Sequence, residues 1–386
     1  MSRRQLLALQ LLLVAACEPT SATPDAALAA DTPRADSPIS PADEIGMNDV
    51  SILFPLDEGG MALWPITIAG SHGPLLDAAA YASVAPLRRG EAAPLDALRV
   101  VAVRLDPCFP ADGGACQPMV RLVAQPLRLG VPGFDDAAVH LHYPITDVEL
   151  DVMLETIASA RESSGVASDA AFGVHPALAS EGVVGSFGAM LRTLVLDHAG
   201  LDRLDRITFT TRTASRAASW EWGRIDREGG SFVRVAMPAS GTSATELQSL
   251  TGDGLRAYTT TPPSPTAGLL VGAFGMSDDL GSTPEAERAA ILGRIQDVLH
   301  PARENPESVD CASCHVAMHA DRAARAAWPG VTPSSEPFTS SLPLDTPTPT
   351  LRDRIRAFGY FDEEPQINTR VVNETAAVVE AFRARR

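Results

Sequence analysis

Two cysteines and a histidine constrain this chain more than any other feature: Cys311-Ala312-Ser313-Cys314-His315. On an α-helix, positions i, i+3 and i+4 share one face. The spacing therefore predicts a helix that turns two thiols and an imidazole toward one common partner. The flanking residues agree. Asn305-Pro306-Glu307-Ser308 predicts a helix start, with Pro306 at the first position and Glu307 in the first turn. That helix can run through Ala327 and stop at Trp328-Pro329-Gly330. A final helix is expected over Asn373 to Arg385, with Ala377, Val378 and Phe382 at helical spacing, and a shorter one over Leu351 to Tyr360. Thr332 to Thr348, dense in Pro, Ser and Thr, is expected to be a long loop.

The N-terminal end reads as an address. Arg3 and Arg4 precede an apolar run from Leu6 to Val14, and Ala15 and Ala16 are the small residues of a cleavage site, so residues 1–16 are expected to be a secretory signal. The run is too short to span a bilayer, which takes about 20 residues. Leu13-Val14-Ala15-Ala16-Cys17 resembles the lipobox of bacterial lipoproteins. The resemblance implies cleavage before Cys17, diacylglycerol on its sulfur and acylation of the new amino group, hence a membrane anchor of several acyl chains. Glu18 after that cysteine, in place of Asp, implies by the same analogy the outer membrane, on its periplasmic or surface face. Residues 17–48 are rich in Pro, Ala, Asp, Ser and Thr and nearly empty of large apolar side chains, so a disordered tether is expected there.

An exported chain meets an oxidising compartment, which makes the remaining cysteines informative. There are five. Cys17 goes to lipid in this reading, and Cys108 and Cys116 flank a stretch containing Pro110, Gly113 and Gly114, which predicts a local disulfide closing a turn. Cys311, Cys314 and His315 then match C-x-x-C-H, the c-type haem attachment motif. Each thiol would add across a porphyrin vinyl group to give a thioether, and the imidazole would reach the iron as proximal ligand. Three other readings stay open: a plain or redox-active Cys311–Cys314 disulfide, a zinc site of Cys311, Cys314, His315 and His319, and a motif without cofactor. Adjacency of Cys314 and His315 makes tetrahedral ligation awkward, and the βαβ pattern of a thioredoxin site is missing.

Residues 305–386 resemble small c-type cytochromes in outline, with a haem-bearing helix first, loops over the haem and a closing helix. The resemblance covers about a fifth of the chain and implies one haem c and electron transfer with a redox partner protein. The chain departs from that family in one respect. Those cytochromes place a distal Met well after the motif, whereas here neither Met nor His follows His319. Met318 and His319 sit on the proximal helix and cannot pass round the porphyrin. A distal ligand has to come from upstream, where His300, Met276 and Met237 are candidates, or else be water or absent, which would leave an open, high-spin iron.

The upstream region, 49–300, shows strands rich in Val and Leu at Val50 to Phe54, Leu98 to Leu105, Val120 to Leu127, Ala138 to Tyr143, Ile207 to Thr213, Ala218 to Ile225, Ser231 to Met237 and Leu269 to Phe274. Asp147 to Arg161 and Ser186 to Ala199 predict amphipathic helices, and Thr283-Pro284-Glu285 opens another. The expected fold class is α+β: a strand-rich domain followed by a small helical segment. No G-x-S-x-G, Walker loop, G-x-G-x-x-G or H-E-x-x-H occurs. His140 and His142 share a strand face and could hold a metal with Asp135 or Asp136, although a merely polar strand face is the better account of them. Trp220 and Trp222 share a face too, where a ligand-binding patch is conceivable and ordinary packing is the better account. The formal net charge is −17, all 31 basic residues are Arg, and no basic patch stands out, which counts against nucleic-acid binding. The functional expectation is thus a lipid-anchored monohaem electron carrier and no enzyme, with two alternatives: a binding or structural lipoprotein served by the upstream domain, and a haem peroxidase-like enzyme.

Overall fold

The computed structural model describes residues 45–56, 60–84, 94–106, 117–128, 132–213, 219–236, 247–253, 257–261, 270, 280–305, 308–345 and 354–386. Its elements in chain order are α1 (Met47–Val50), β1 (Ser51–Leu53), β2 (Ala69–Gly70), β3 (Gly73–Pro74), α2 (Ala78–Val84), β4 (Leu98–Asp106), β5 (Met119–Pro126), β6 (Ala138–Pro144), α3 (Asp147–Ser163), α4 (Pro176–Glu181), α5 (Ser186–His198), β7 (Arg206–Thr213), β8 (Ser219–Glu228), β9 (Ser231–Val235), β10 (Leu247–Asp253) and β11 (Ala257–Thr261). Then follow α6 (Glu285–Leu299), α7 (Cys311–Ala327), β12 (Phe358–Phe361), β13 (Glu364–Ile367) and α8 (Thr369–Ala384). No helix among the described residues is long and apolar enough to cross a membrane.

Nine strands form one antiparallel sheet in the order β1-β4-β5-β6-β7-β8-β10-β11, with β9 paired to the far half of β8. Side chains alternate along each strand, and directly paired residues share a face. The register therefore gives the sheet two unlike faces. One carries the row Val103, Leu122, Leu141, Ile207 and Ile225, all fully buried. On that side the Tyr143 hydroxyl donates to the Leu75 carbonyl at 2.8 Å. α3 adds Leu150, Met153, Leu154 and Ile157 to the same apolar cluster, and each such side chain contributes about 1.5–3 kcal/mol by its burial. That helix starts where it does because Thr146 and Glu149 cap it reciprocally, each side chain accepting from the other's backbone N–H at 3.1 and 2.7 Å.

The opposite face is polar. Its rows are Arg104, Arg121, His142, Arg206 and Asp226, then His140, Thr208 and Arg224, then Thr210, Trp222 and Gln248. The C-terminal third covers this face. Arg104 pairs with Glu374 of α8 at 3.0 Å, and Ser51 hydrogen-bonds Thr375 at 2.8 Å. The Tyr360 N–H donates to Gln125 Oε1 at 2.7 Å, while Gln125 Nε2 donates to the Tyr360 carbonyl at 2.9 Å.

The α+β class thus holds as a mixed fold built on a large antiparallel sheet, but residues 305–386 are not a purely helical segment. The helix expected over Leu351 to Tyr360 is replaced, where described, by the β12–β13 hairpin, because Phe358 and Tyr360 bury on the main sheet and outweigh the helix-forming Arg and Ala before them. The expected helix start at Pro306 moves to Cys311, where Asp310 supplies the cap, and the final helix opens earlier, at Thr369, because Asn368 accepts from the Val371 N–H at 2.9 Å. Val371, Val379 and Phe382 of α8 lie in the same cluster as β1 and β4. The stretch expected as a tether also ends short of Asn48. Ile45, Met47 and Asn48 are buried, with Asn48 Nδ2 donating to the Ala170 and Ala171 carbonyls, and the earlier part of that stretch lies outside the described residues.

Gly359 makes the hairpin's close approach feasible. Its φ is +134°, and a Cβ there would meet Gln125 Oε1 at 2.4 Å. Gly359→Ala is expected to cost about 1–3 kcal/mol, read as a lower urea midpoint, through backbone strain and loss of the Gln125 bonds. An unchanged midpoint would refute this account of the hairpin.

Candidate functional site

The start of α7 is clamped to the polar face of the sheet. Asp310 is fully buried and caps the helix, accepting from the Ser313 N–H at 3.0 Å and from the Ser313 hydroxyl at 2.6 Å. Gln248 of β10, also fully buried, bridges strand and helix: Nε2 donates to Asp310 Oδ1 at 2.7 Å and Oε1 accepts from the Ala312 N–H at 2.9 Å. Cys311 and Cys314 pack against a buried apolar cluster that includes Trp220, Trp222 and Leu250.

Cys311 and Cys314 are free thiols. Burial pushes both up, Cys314 to about 11 and Cys311 further, so both stay protonated at neutral pH. A redox-active pair needs the reverse, a depressed thiol. His315 lies on the same helix face. Its Nδ1–H donates to the Ile355 carbonyl at 2.7 Å. Because a carbonyl only accepts, that bond fixes the tautomer and leaves the Nε2 lone pair facing away from the backbone. Burial lowers His315 to about 4, so the ring is neutral. Its centroid is 5.3 Å from that of Trp222. One turn on, His319 Nε2 donates to the Arg354 carbonyl at 2.9 Å, so the 354–355 backbone runs along the helix.

Around His315 lies a set of buried polar groups. Arg356 donates to Asp136 Oδ1 at 2.7 Å, and Trp220 Nε1 donates to Asp136 Oδ2 at 2.9 Å. Arg356 Nε, Arg356 Nη1 and Trp222 Nε1 are buried with no hydrogen-bond partner among the described residues. Orphaned buried donors are uncommon and costly, and an anionic or acceptor group within reach would satisfy them.

The structure brings Cys311, Cys314, His315 and the two tryptophans to one place. His300 lies elsewhere: its ring meets Phe338 edge-on at 5.3 Å and its Nδ1 accepts from the Ala302 N–H. Met276, Met237, Cys17, Cys108 and Cys116 lie outside the described residues. Among the described residues, no three His, Cys, Asp or Glu side chains converge as a metal site, which covers both the zinc set with His319 and the set of His140, His142 and Asp136. His142 has both ring nitrogens engaged, by Met119 Sδ and Thr208 Oγ1 at 3.3 Å each. Sequence reasoning missed Gln248, Arg356 and the Ile355 carbonyl, all joined to the motif over long separations. Only Asp310, an N-cap residue directly before Cys311, carried a local signal. No family model, no curated protein and no solved structure matches this chain.

Proposed function

We propose that this protein is an exported, lipid-anchored carrier of one covalently bound haem c, and that it serves electron transfer with a partner protein. The observation that carries the reading is the state of His315. It sits one residue after a free thiol pair on one helix face, with Nδ1 tied to a backbone carbonyl and Nε2 left for iron, which is how ligating histidines are commonly oriented. Cys311 and Cys314 would hold the macrocycle by adding S–H across its two vinyl groups. Arg356 and Trp222 have spare donors suited to its carboxylates. Bound haem supplies a one-electron iron couple. The chain's own contribution is to fix the imidazole, exclude water with Trp220 and Trp222, and hold the Arg356–Asp136 pair beside it. This reading rests on the motif and its surroundings and does not need a cytochrome c-like fold. Lipidation at Cys17 is part of the same proposal and supplies the membrane attachment.

Intact-mass measurement tests it. Protein produced with haem-maturation machinery is expected to carry the mass of one haem, and a Cys311→Ala/Cys314→Ala variant to carry none covalently. Colourless protein with the mass of the polypeptide and its lipid alone would overturn the proposal.

A further inference from the structure

We propose that His319 is a positioning residue: by holding the 354–356 segment against α7 it fixes the Ile355 carbonyl that orients His315, and so sets the reduction potential of the centre. The inference rests on the haem reading above.

His315 and His319 are four residues apart on α7 and share a face, separated by about 6 Å along the axis. They donate to successive carbonyls of one segment, His315 Nδ1 to Ile355 at 2.7 Å and His319 Nε2 to Arg354 at 2.9 Å. A carbonyl only accepts, so the two rings are opposite tautomers, each set by its own carbonyl. In a regular strand successive carbonyls point to opposite sides. Here both meet the same helix face, and residues 354–356 form neither helix nor strand. The two imidazoles therefore specify this stretch of backbone.

The segment's own side chains secure it at other points. Arg354 pairs with Glu364, and its guanidinium lies 4.9 Å from the Phe361 ring centroid. Arg356 pairs with Asp136 at 2.7 Å, and Ile355 is buried in the apolar cluster that holds Val316 and Ala320 of α7. None of these contacts involves the carbonyl that His315 uses. The bond made by the neighbouring carbonyl, to a histidine only 4 % exposed, is the restraint nearest to it. A hydrogen bond from its outer nitrogen makes an imidazole a stronger ligand, which favours the oxidised iron and lowers the potential. Releasing the Arg354 carbonyl loosens that bond and raises the potential.

The test uses the full chain with and without its haem. His319→Leu removes the donor, and His319→Gln places an amide N–H near the position of Nε2. In the haem-bearing protein His319→Leu is expected to shift the redox equilibrium about tenfold toward the reduced form, roughly 59 mV for one electron, and His319→Gln to stay near wild type. In the haem-free chain, hydrogen exchange at His315 Nδ1 is followed by nuclear magnetic resonance of the imidazole nitrogens. It is expected to be about tenfold faster in His319→Leu and restored in His319→Gln, with the amides of β5 unchanged. An unchanged potential or an unchanged exchange rate in His319→Leu would overturn this assignment while leaving covalent haem intact. Acceleration shared by the β5 amides would overturn it too, as general loosening of the fold. Wild-type protein with no added haem mass overturns the haem reading instead, and the exchange measurement then judges the positioning by itself. Should His319→Leu fail to fold, His319→Asn, whose amide is too short to reach the carbonyl, is expected to show the same two changes, and their absence is equally decisive.

Discussion

Asp49→Ala is expected to lower the stability of this protein by about 3–5 kcal/mol, the largest loss from any single substitution considered, because it strands a buried guanidinium. Asp49 is fully buried, and both its carboxylate oxygens accept from Arg161 Nε, at 2.9 and 3.0 Å. Arg161, at 3 % exposure, also donates from Nη1 to the Val166 carbonyl at 2.6 Å. The pair joins the start of the described chain to α3. Its net contribution is nevertheless small. Burial pushes the Asp49 carboxyl up despite the attraction of Arg161, so ionising it inside the fold is unfavourable. On acidification this group alone favours the folded form. A double variant, Asp49→Leu with Arg161→Met, is accordingly expected to recover most of the loss, since replacing both charges removes the desolvation penalty. Equilibrium urea unfolding of the three proteins checks the pattern. A double variant as unstable as Asp49→Ala would show that the pair itself stabilises the fold.

Glu374→Gln is the second large effect, about 3 kcal/mol, with a pH signature of its own. Glu374 accepts from Arg370 Nε at 2.6 Å and from Arg104 Nη2 at 3.0 Å, tying α8 to β4. Burial pushes its carboxyl up, but Arg370, Arg104 and Arg121 prevail and hold it down to about 2. The folded value lies below the ordinary carboxylate value of 4.5, so this contribution is complete above that pH and is lost as pH falls toward 2. Wild-type stability should therefore fall across that window, by on the order of 2 kcal/mol from this group, and Glu374→Gln should flatten the fall. Parallel acid profiles for the two proteins would remove Glu374 as the cause.

The strands β4 to β8 were legible because each is a short run of Val and Leu or alternating side chains bounded by turn residues, and α3 because its apolar positions recur every three to four residues behind a capping box. The hairpin at Phe358 was not, since its arginine-rich approach has helical propensity and the burial that decides the matter lies more than 200 residues away, at Gln125. The polar face of the sheet shows the same limit. Alternation of Arg121, His140 and Arg224 with apolar neighbours announces a hydrophilic face, which ordinarily means solvent. Nothing local says that α7 and α8 will cover it. The motif at Cys311 was readable because its three groups sit within one helical turn. Its companions Gln248 and Trp222 come from separate strands brought together by the sheet register, and Arg356 from the segment before β12.

One arrangement bears on the order of assembly. The cysteine-bearing side of α7 looks inward onto the sheet, and α8 closes against β1. On the haem reading proposed above, a porphyrin joined to those sulfurs would have to arrive before that door shuts, on a chain whose last helix is still undocked. Under that proposal export, attachment and final closure would form a sequence of steps in time, and delaying the closure would widen the interval in which attachment can occur.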